Sequence, residues 1–377
     1  MSGAVLALLV CGFVLAAPLA ALLIRLGHRA GALDSAGSPG HSKTLRGVPN
    51  IGGVAIMAGF CLPLLVGLAA LSWACDAVVQ VVPQIGDHLA RLQATLPTAW
   101  AVLVALLLVH GLGLLDDRRA IGALPKAAIQ LAIALVLAAA FDVRALTLLD
   151  AWPGGWMASV VISALWMVLV CNAVNYLDNM DGLAGGVSAI AALLLMAATI
   201  ANHQWFVSAE CAVLAGAIGG FLLFNFPWRG SGRGARIFMG DGGSLLIGMA
   251  LGILTIRITY ADPADPAYSL GGQWYGALAP LLVLAVPLFD LVTVSLMRIR
   301  EGKSPFVGDQ RHISHRLVGL GLTPRGAVLA LCALGAITGV GGILLGSLAP
   351  WQAGLVAVQG VAALSVVWLI ERALREP

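Results

Sequence analysis

Apolar runs near the length of a bilayer crossing alternate along this chain with short polar islands. The runs fall at about 4–26, 51–72, 99–115, 127–149, 157–177, 182–201, 207–226, 238–258, 275–297, 326–346 and 350–371. About 20 apolar helical residues cross a hydrocarbon core. The pattern therefore predicts an all-α, polytopic membrane bundle of about eleven helices. Run 99–115 is short, and 238–258 begins inside a glycine-rich island. The longest polar stretches, about 27–50, 73–98 and 298–325, are too short for a soluble domain. Residues 1–377 read as one transmembrane domain, with any chemistry confined to loops and helix ends.

Composition agrees: 60% of residues are hydrophobic and 10% charged, against roughly 25% charged in soluble domains. Lys and Arg then orient the chain, because cytoplasmic loops keep the positive excess. Alternate loops hold Arg29, Lys43 and Arg46; Arg118, Arg119 and Lys126; Arg229, Arg233 and Arg236; Arg298 through Arg325; and the tail Arg372 and Arg375. The others hold little beyond Arg91 and Arg144, with Arg257 near an edge. This predicts an outside N-terminus, a cytoplasmic C-terminus and islands on the cytoplasmic face of the plasma (inner) membrane. Met1-Ser-Gly-Ala lacks a basic n-region, so the first run reads as a retained helix, not a cleaved signal peptide. The six cysteines show no paired spacing and read as packing residues. A net charge of +3 spread over several loops suits topology and anionic substrates, with no nucleic acid as partner.

Four islands hold most of the chemistry. An ionisable side chain at the centre of a membrane helix costs ~2.5 to 3.5 kcal/mol on insertion scales, so polar clusters beside spans are functional candidates. Asp116 and Asp117 end the third run, with Arg118, Arg119 and Lys126 following. Adjacent carboxylates beside cations suit a phosphate or Mg²⁺ site; a solvated helix end is the plain alternative. In the second island, Asn172, Asn175 and Asp178 recur every three residues and share a helix face. Gly182 suggests a helix end near Asp178 that lets Asp181 turn back toward the same pocket. These groups could bind a nucleotide or sugar, or help ligate a metal. Interhelical hydrogen bonding, worth ~0.6 kcal/mol on average, is the alternative.

The third island, Phe238-Met-Gly-Asp241-Gly-Gly-Ser244, sets one carboxylate among glycines at a helix start, where backbone and anion can approach closely. Asp241 is the leading candidate metal ligand, although such a loop also reads as an N-cap. The fourth carries His312 and His315 beside Arg311. Two imidazoles in a basic loop suit phosphate better than Zn²⁺, since no Cys or HExxH partner is present. Asp290 lies well inside the ninth run, as a functional group or a structural bond. Most of the ten tryptophans fall near run ends and read as interfacial anchors.

These residues, in this order, resemble the polyprenyl-phosphate N-acetylhexosamine-1-phosphate transferases, the glycosyltransferase 4 superfamily that includes phospho-N-acetylmuramoyl-pentapeptide transferase. The resemblance covers most of the chain. It also takes in His41-Ser-Lys-Thr-Leu-Arg-Gly-Val-Pro49-Asn-Ile-Gly52-Gly53 and Phe224-Asn225-Phe-Pro227. It implies Mg²⁺-dependent transfer, with Mn²⁺ as the alternative ion, of an N-acetylhexosamine 1-phosphate from a UDP-sugar to undecaprenyl phosphate, releasing UMP and initiating a cell-envelope glycan. It further implies Asp241, with Asp178, as metal ligands, and Asp116 and Asp117 positioning or deprotonating the lipid phosphate. Asn172, Asn175, Asp178, Asp181 and Asn225 would face the nucleotide end, and His312, His315, Lys126 and Arg311 would meet phosphates. The lipid tail would lie between helices among membrane lipids; a homodimer is left open.

Three positions depart from the family pattern. Asn179 stands where many members have glycine, and segment 228–236 is longer than usual. His312-Ile-Ser-His315 lacks the consecutive histidines of the muramoyl-pentapeptide branch, which favours the N-acetylhexosamine branch. A secondary transporter is the rival from another class, but transporter sites lie near the midplane, where only Asp290 falls.

Overall fold

The computed structural model of the chain describes residues 1–30, 47–228, 234–259, 274–304 and 311–373. Residues 41–46 of the first-loop motif, together with Arg229 and Arg233, lie outside the described residues. Helix α1 (Ser2–Ala30) precedes α2 (Gly52–Trp73) and a short α3 (Cys75–Val81). A long α4 (Leu89–Arg118) and α5 (Ala123–Ala140) follow, then α6 (Gly155–Leu177), α7 (Leu183–Ala201), α8 (Trp205–Asn225) and α9 (Gly240–Thr259). The C-terminal part contains α10 (Ala279–Val283), α11 (Ala285–Arg300), the short α12 (Ile313–Gly319), α13 (Pro324–Leu344) and α14 (Pro350–Ala373).

Every apolar run of the sequence carries a helix, and the protein is a polytopic membrane bundle. Among the described residues, nine helices are long and apolar enough to cross a membrane, or ten if the bent pair around Leu284 is one crossing. The last predicted run corresponds to α14. Two runs end differently from expectation. Run 127–149 stops as a helix at Ala140 because Asp142 takes a left-handed backbone (φ 55°). The chain then wraps around Arg144, which binds Asp142 at 2.6 Å and Asp150 at 2.8 and 2.9 Å. The ninth run breaks by 70° at Leu284. Pro287 supplies the cause, since it lacks an N–H and its ring crowds the carbonyl four residues earlier, that of Val283.

Helix α9 is the buried centre, packed against α2, α4, α6, α7 and α8. Lipid tails are as apolar as leucine, so membrane helices associate through close packing over small residues. The two tightest approaches relevant to function use Gly53 and Gly113. A Cβ on Gly53 would lie 2.3 Å from the Gly243 nitrogen, and one on Gly113 would lie 2.4 Å from the Asp241 carbonyl oxygen. The start of α2 and the end of α4 are thus pressed, backbone to backbone, on the start of α9. Backbone hydrogen bonds from Gly52 and Gly53 to the carbonyls of Phe238 and Met239, at 2.8 and 2.9 Å, seal the same junction. At the opposite end of the bundle, Trp100 bonds Ser72 at 3.1 Å and Thr98 bonds the Phe141 carbonyl at 3.2 Å.

Candidate active site

The end of α4 meets the starts of α5 and α9, and three islands converge there. Asp117 accepts from Asn50 Nδ2 at 3.1 Å, from the Asp241 N–H at 3.0 Å and from the Gly242 N–H at 3.2 Å. The first N–H groups of a helix have no partner within it and favour negative charge. Asp117 therefore works as a cap for α9, supplied by another helix. Gly240 allows this approach: its φ is +70°, and a Cβ there would lie 2.6 Å from Asp117 Oδ2.

Asp116 faces the other way. Its Oδ1 accepts from the Ile121 N–H and its Oδ2 from Lys126 Nζ, both at 2.8 Å. Lys126 also binds Asp241 Oδ2, so one ammonium bridges the first and third islands. Asn175 Nδ2 donates to Asp241 Oδ1 at 3.0 Å and to Ser244 Oγ at 2.9 Å, bringing in the second island. The Asp241 side chain is 28% exposed against 15% for Asp116 and 12% for Lys126, so Asp241 is the more open carboxylate of this bridge.

Asp116 and Asp241 share the ammonium of Lys126 while Asp117 lies beside them on backbone N–H groups, so three carboxylates and one ammonium meet where a phosphate would have to enter. Hard oxygen donors and surplus charge fit a divalent cation such as Mg²⁺. No group of three or more His, Cys, Asp or Glu side chains among the described residues forms an all-protein metal cage. Mg²⁺ is usually held by one or two carboxylates together with substrate phosphates and water.

The fourth island builds a second cluster at the end of α6. His312 Nδ1 lies 2.8 Å from Asp290 Oδ2, and the Ile313 N–H donates to Asp290 Oδ1 at 2.7 Å. Ser314 Oγ donates to Asn179 Oδ1 at 2.5 Å, while Asn179 Nδ2 donates to the Tyr176 carbonyl at 2.8 Å. The Tyr176 ring meets His312 edge-on, with centroids 5.8 Å apart, and its hydroxyl accepts from Arg298 at 3.1 Å. His315 is half-buried beside Asn179. Burial holds its imidazole below the ordinary 6.5, the neighbouring His312 adds to the depression, and Asp290 opposes it.

The remaining predicted site residues lie elsewhere. Asn172 donates to Gln130 Oε1 at 2.7 Å, one turn before Asn175 and deeper in the bundle. Asp181 accepts the Ala235 N–H at 2.9 Å. Asn225 accepts the Gly182 N–H at 2.8 Å and donates to the Ile237 carbonyl at 2.9 Å, tying the start of α7 to the segment entering α9. Through these bonds Asn172, Asp181 and Asn225 each join elements of the bundle. Asp178 caps the end of α6 and is half-buried. Arg311 pairs with Glu301 outside both clusters. Reading the sequence missed Asn50, Ser244, Tyr176 and Arg298. Arg298 counted as a loop cation, yet it is 1% exposed; its apolar neighbours in Ser295-Leu-Met-Arg298-Ile were the available signal.

Fold and site together define a multi-pass membrane transferase with a charged mouth at one end of its bundle. Residues 99–259, from α4 through α9, match the model of glycosyl transferase family 4. A Bacillus subtilis protein named probable undecaprenyl-phosphate N-acetylglucosaminyl 1-phosphate transferase is 31% identical over 257 residues, 67% of each chain. A Mycolicibacterium smegmatis decaprenyl-phosphate N-acetylglucosaminephosphotransferase is 32% identical over 302 residues, covering 74% of this chain and 70% of its own. An Escherichia coli K12 undecaprenyl-phosphate alpha-N-acetylglucosaminyl 1-phosphate transferase is 28% identical over 306 residues, covering 79% and 72%. The chain belongs to glycosyl transferase family 4, among the polyprenyl-phosphate hexosamine-1-phosphate transferases.

Proposed function

We propose that this protein transfers an N-acetylhexosamine 1-phosphate from a UDP-sugar to undecaprenyl phosphate, giving undecaprenyl diphosphate sugar and UMP. The single observation that carries the reading is the Lys126 bridge between Asp116 and the more open Asp241. A lipid phosphate oxygen attacks the sugar-bearing phosphorus of the UDP-sugar. A new P–O bond forms, the bond to the bridging oxygen breaks, and its electron pair leaves with UMP. Phosphate attacking diphosphate crowds negative charge, so catalysis is largely charge stabilisation and positioning. Mg²⁺, when bound, would supply Lewis-acid screening of those oxygens. Asp241 would hold it, with Asp178 as the second candidate. Asn175 orients Asp241, Lys126 meets phosphate oxygens, Asp116 steers Lys126, and Asp117 fixes the start of α9. His312 and His315 would receive phosphate at the nucleotide end. The relatives' names support both the lipid acceptor and the sugar. The site face is taken as cytoplasmic in the inner membrane, because Arg118, Arg119, Arg236, Arg300 and Lys303 cluster in its loops.

Purified protein in lipid nanodiscs, given undecaprenyl phosphate, Mg²⁺ and a panel of UDP-sugars, should release UMP with at least one of them. The reading fails if no sugar releases UMP, or if release survives both EDTA and Asp241→Ala. In intact cells, a cysteine at Ser304 should resist an impermeant thiol reagent; labelling would reverse the orientation.

A further inference from the structure

Two of the three family departures, Asn179 and the interrupted histidine pair, touch each other. Asn179 uses both ends of its amide: Nδ2 caps the Tyr176 carbonyl, one of the carbonyls a helix end leaves unpaired, and Oδ1 takes the Ser314 hydroxyl. A glycine could do neither. Ser314 is wholly buried, so its hydroxyl needs a partner inside the protein. Asp290, on α11, is also wholly buried and spends both oxygens on the same short stretch, one on the His312 ring and one on the Ile313 backbone. Nδ1 is the ring nitrogen of His312 that faces Asp290, so Nε2 points away from it. The edge of His312 rests on Tyr176, which the buried Arg298 holds from its hydroxyl end.

We infer that Asp290 and the Asn179–Ser314 pair are positioning residues that latch the histidine stretch onto α11 and the end of α6 and thereby aim His312 at the substrate phosphates. The inference rests on the transferase reading above. The last turn of α6 carries Asn175 on Asp241 and Tyr176 on His312, so the latch sets the distance between the carboxylate cluster and the histidines. It also accounts for the two departures together: Asn179 supplies the acceptor that Ser314 needs.

A positioning residue acts through the group that it positions, and the test uses that. Asp290→Asn and Asn179→Ala should each lower kcat/KM for UMP release about 10- to 100-fold, the usual cost of losing a group that orients a functional histidine. Neither should lower it more than about 2-fold in a His312→Ala background, where nothing remains to be aimed. Ser314→Ala combined with Asn179→Ala should be no worse than the worse single variant. Equal losses with and without His312, or losses that multiply across the 179 and 314 pair, would overturn the latch. Modification of His312 by diethylpyrocarbonate, followed by mass spectrometry, provides a readout free of turnover. Asp290→Asn and Asn179→Ala should speed it several-fold, and unchanged rates in both would count against the latch. A wild-type protein that releases no UMP would sink the transferase reading, while the labelling would still decide the latch.

Discussion

The carboxylate cluster and the histidine cluster sit at the same mouth but are built by different means. Asp116, Asp117 and Asp241 ride on long helices whose backbones touch through Gly113, Gly53 and Gly243, and Asp117 is itself the cap of α9. His312, Ser314 and His315 ride on the seven-residue α12 and are held by side chains: Asp290, Asn179 and Tyr176. The first is positioned by main-chain packing, which has nowhere to relax. The second is positioned by individual hydrogen bonds, which can be removed one at a time. Damage to the first should therefore be abrupt, and damage to the second graded.

The largest effect should come from the reacting end of the carboxylate cluster. Asp241→Asn keeps the shape but removes the charge that Lys126 and Asn175 orient, and a loss of about a thousandfold in kcat/KM is expected, as for an essential electrostatic contact. A decline below tenfold in the UMP assay would remove Asp241 from the centre of the site. Gly113→Ala, a change of one methyl packed against the Asp241 backbone, should come next. Its Cβ would meet the Asp241 backbone at 2.4 Å, so α4 must move away from α9. Displacement near 1 Å costs about a hundredfold in rate. If Gly113→Ala retains normal kcat while Asn179→Ala does not, the contrast between the two clusters is reversed.

How much of this was legible in the chain follows from the same contrast. The spans were readable because hydrocarbon demands long apolar runs. Asp241, Asp116 and Lys126 were readable because charge beside a span needs a reason. The difference between Asp116 and Asp117 was not, since neighbours in sequence give no sign that one turns to Lys126 and the other to the start of α9. The backbone N–H groups that Asn225 and Asp181 accept were not legible, because an amide or carboxylate near a span end has the same appearance in sequence whatever it meets. The kink at Leu284 was foreshadowed by Pro287, although hydropathy averages across it. The pairing of Asp290 with His312 spans 22 residues across a loop, and no spacing rule reaches that far.

Asn225 provides a milder way to separate site from scaffold. Asn225→Ala would strip partners from the Gly182 N–H and the Ile237 carbonyl, both in the buried layer that carries the chain into α9. An unsatisfied buried group costs about 1 to 3 kcal/mol. The expected result is a lower Tm in a thermal-shift assay, with KM for the UDP-sugar unchanged below the transition. A raised KM at unchanged Tm would instead return Asn225 to the substrate-facing set.

The smallest effect should be the share of the pH dependence of stability that the histidine cluster contributes. Burial, reinforced by His312 and opposed by Asp290, holds the His315 imidazole below 6.5 in the folded protein. As pH falls through that ordinary value, the unfolded chain takes up a proton that the folded chain still refuses. Stability is therefore full above about pH 6.5 and declines with falling pH until the folded imidazole also titrates, below which the loss is complete. Across this window the Tm of the wild-type protein should fall, and His315→Asn should reduce the fall because the His315 imidazole no longer titrates. The same substitution should leave the Tm above pH 7 nearly unchanged. If the slope below 6.5 is the same in both proteins, the acid sensitivity belongs to another group, and the histidine cluster loses the one property that sets its chemistry apart from the carboxylate mouth.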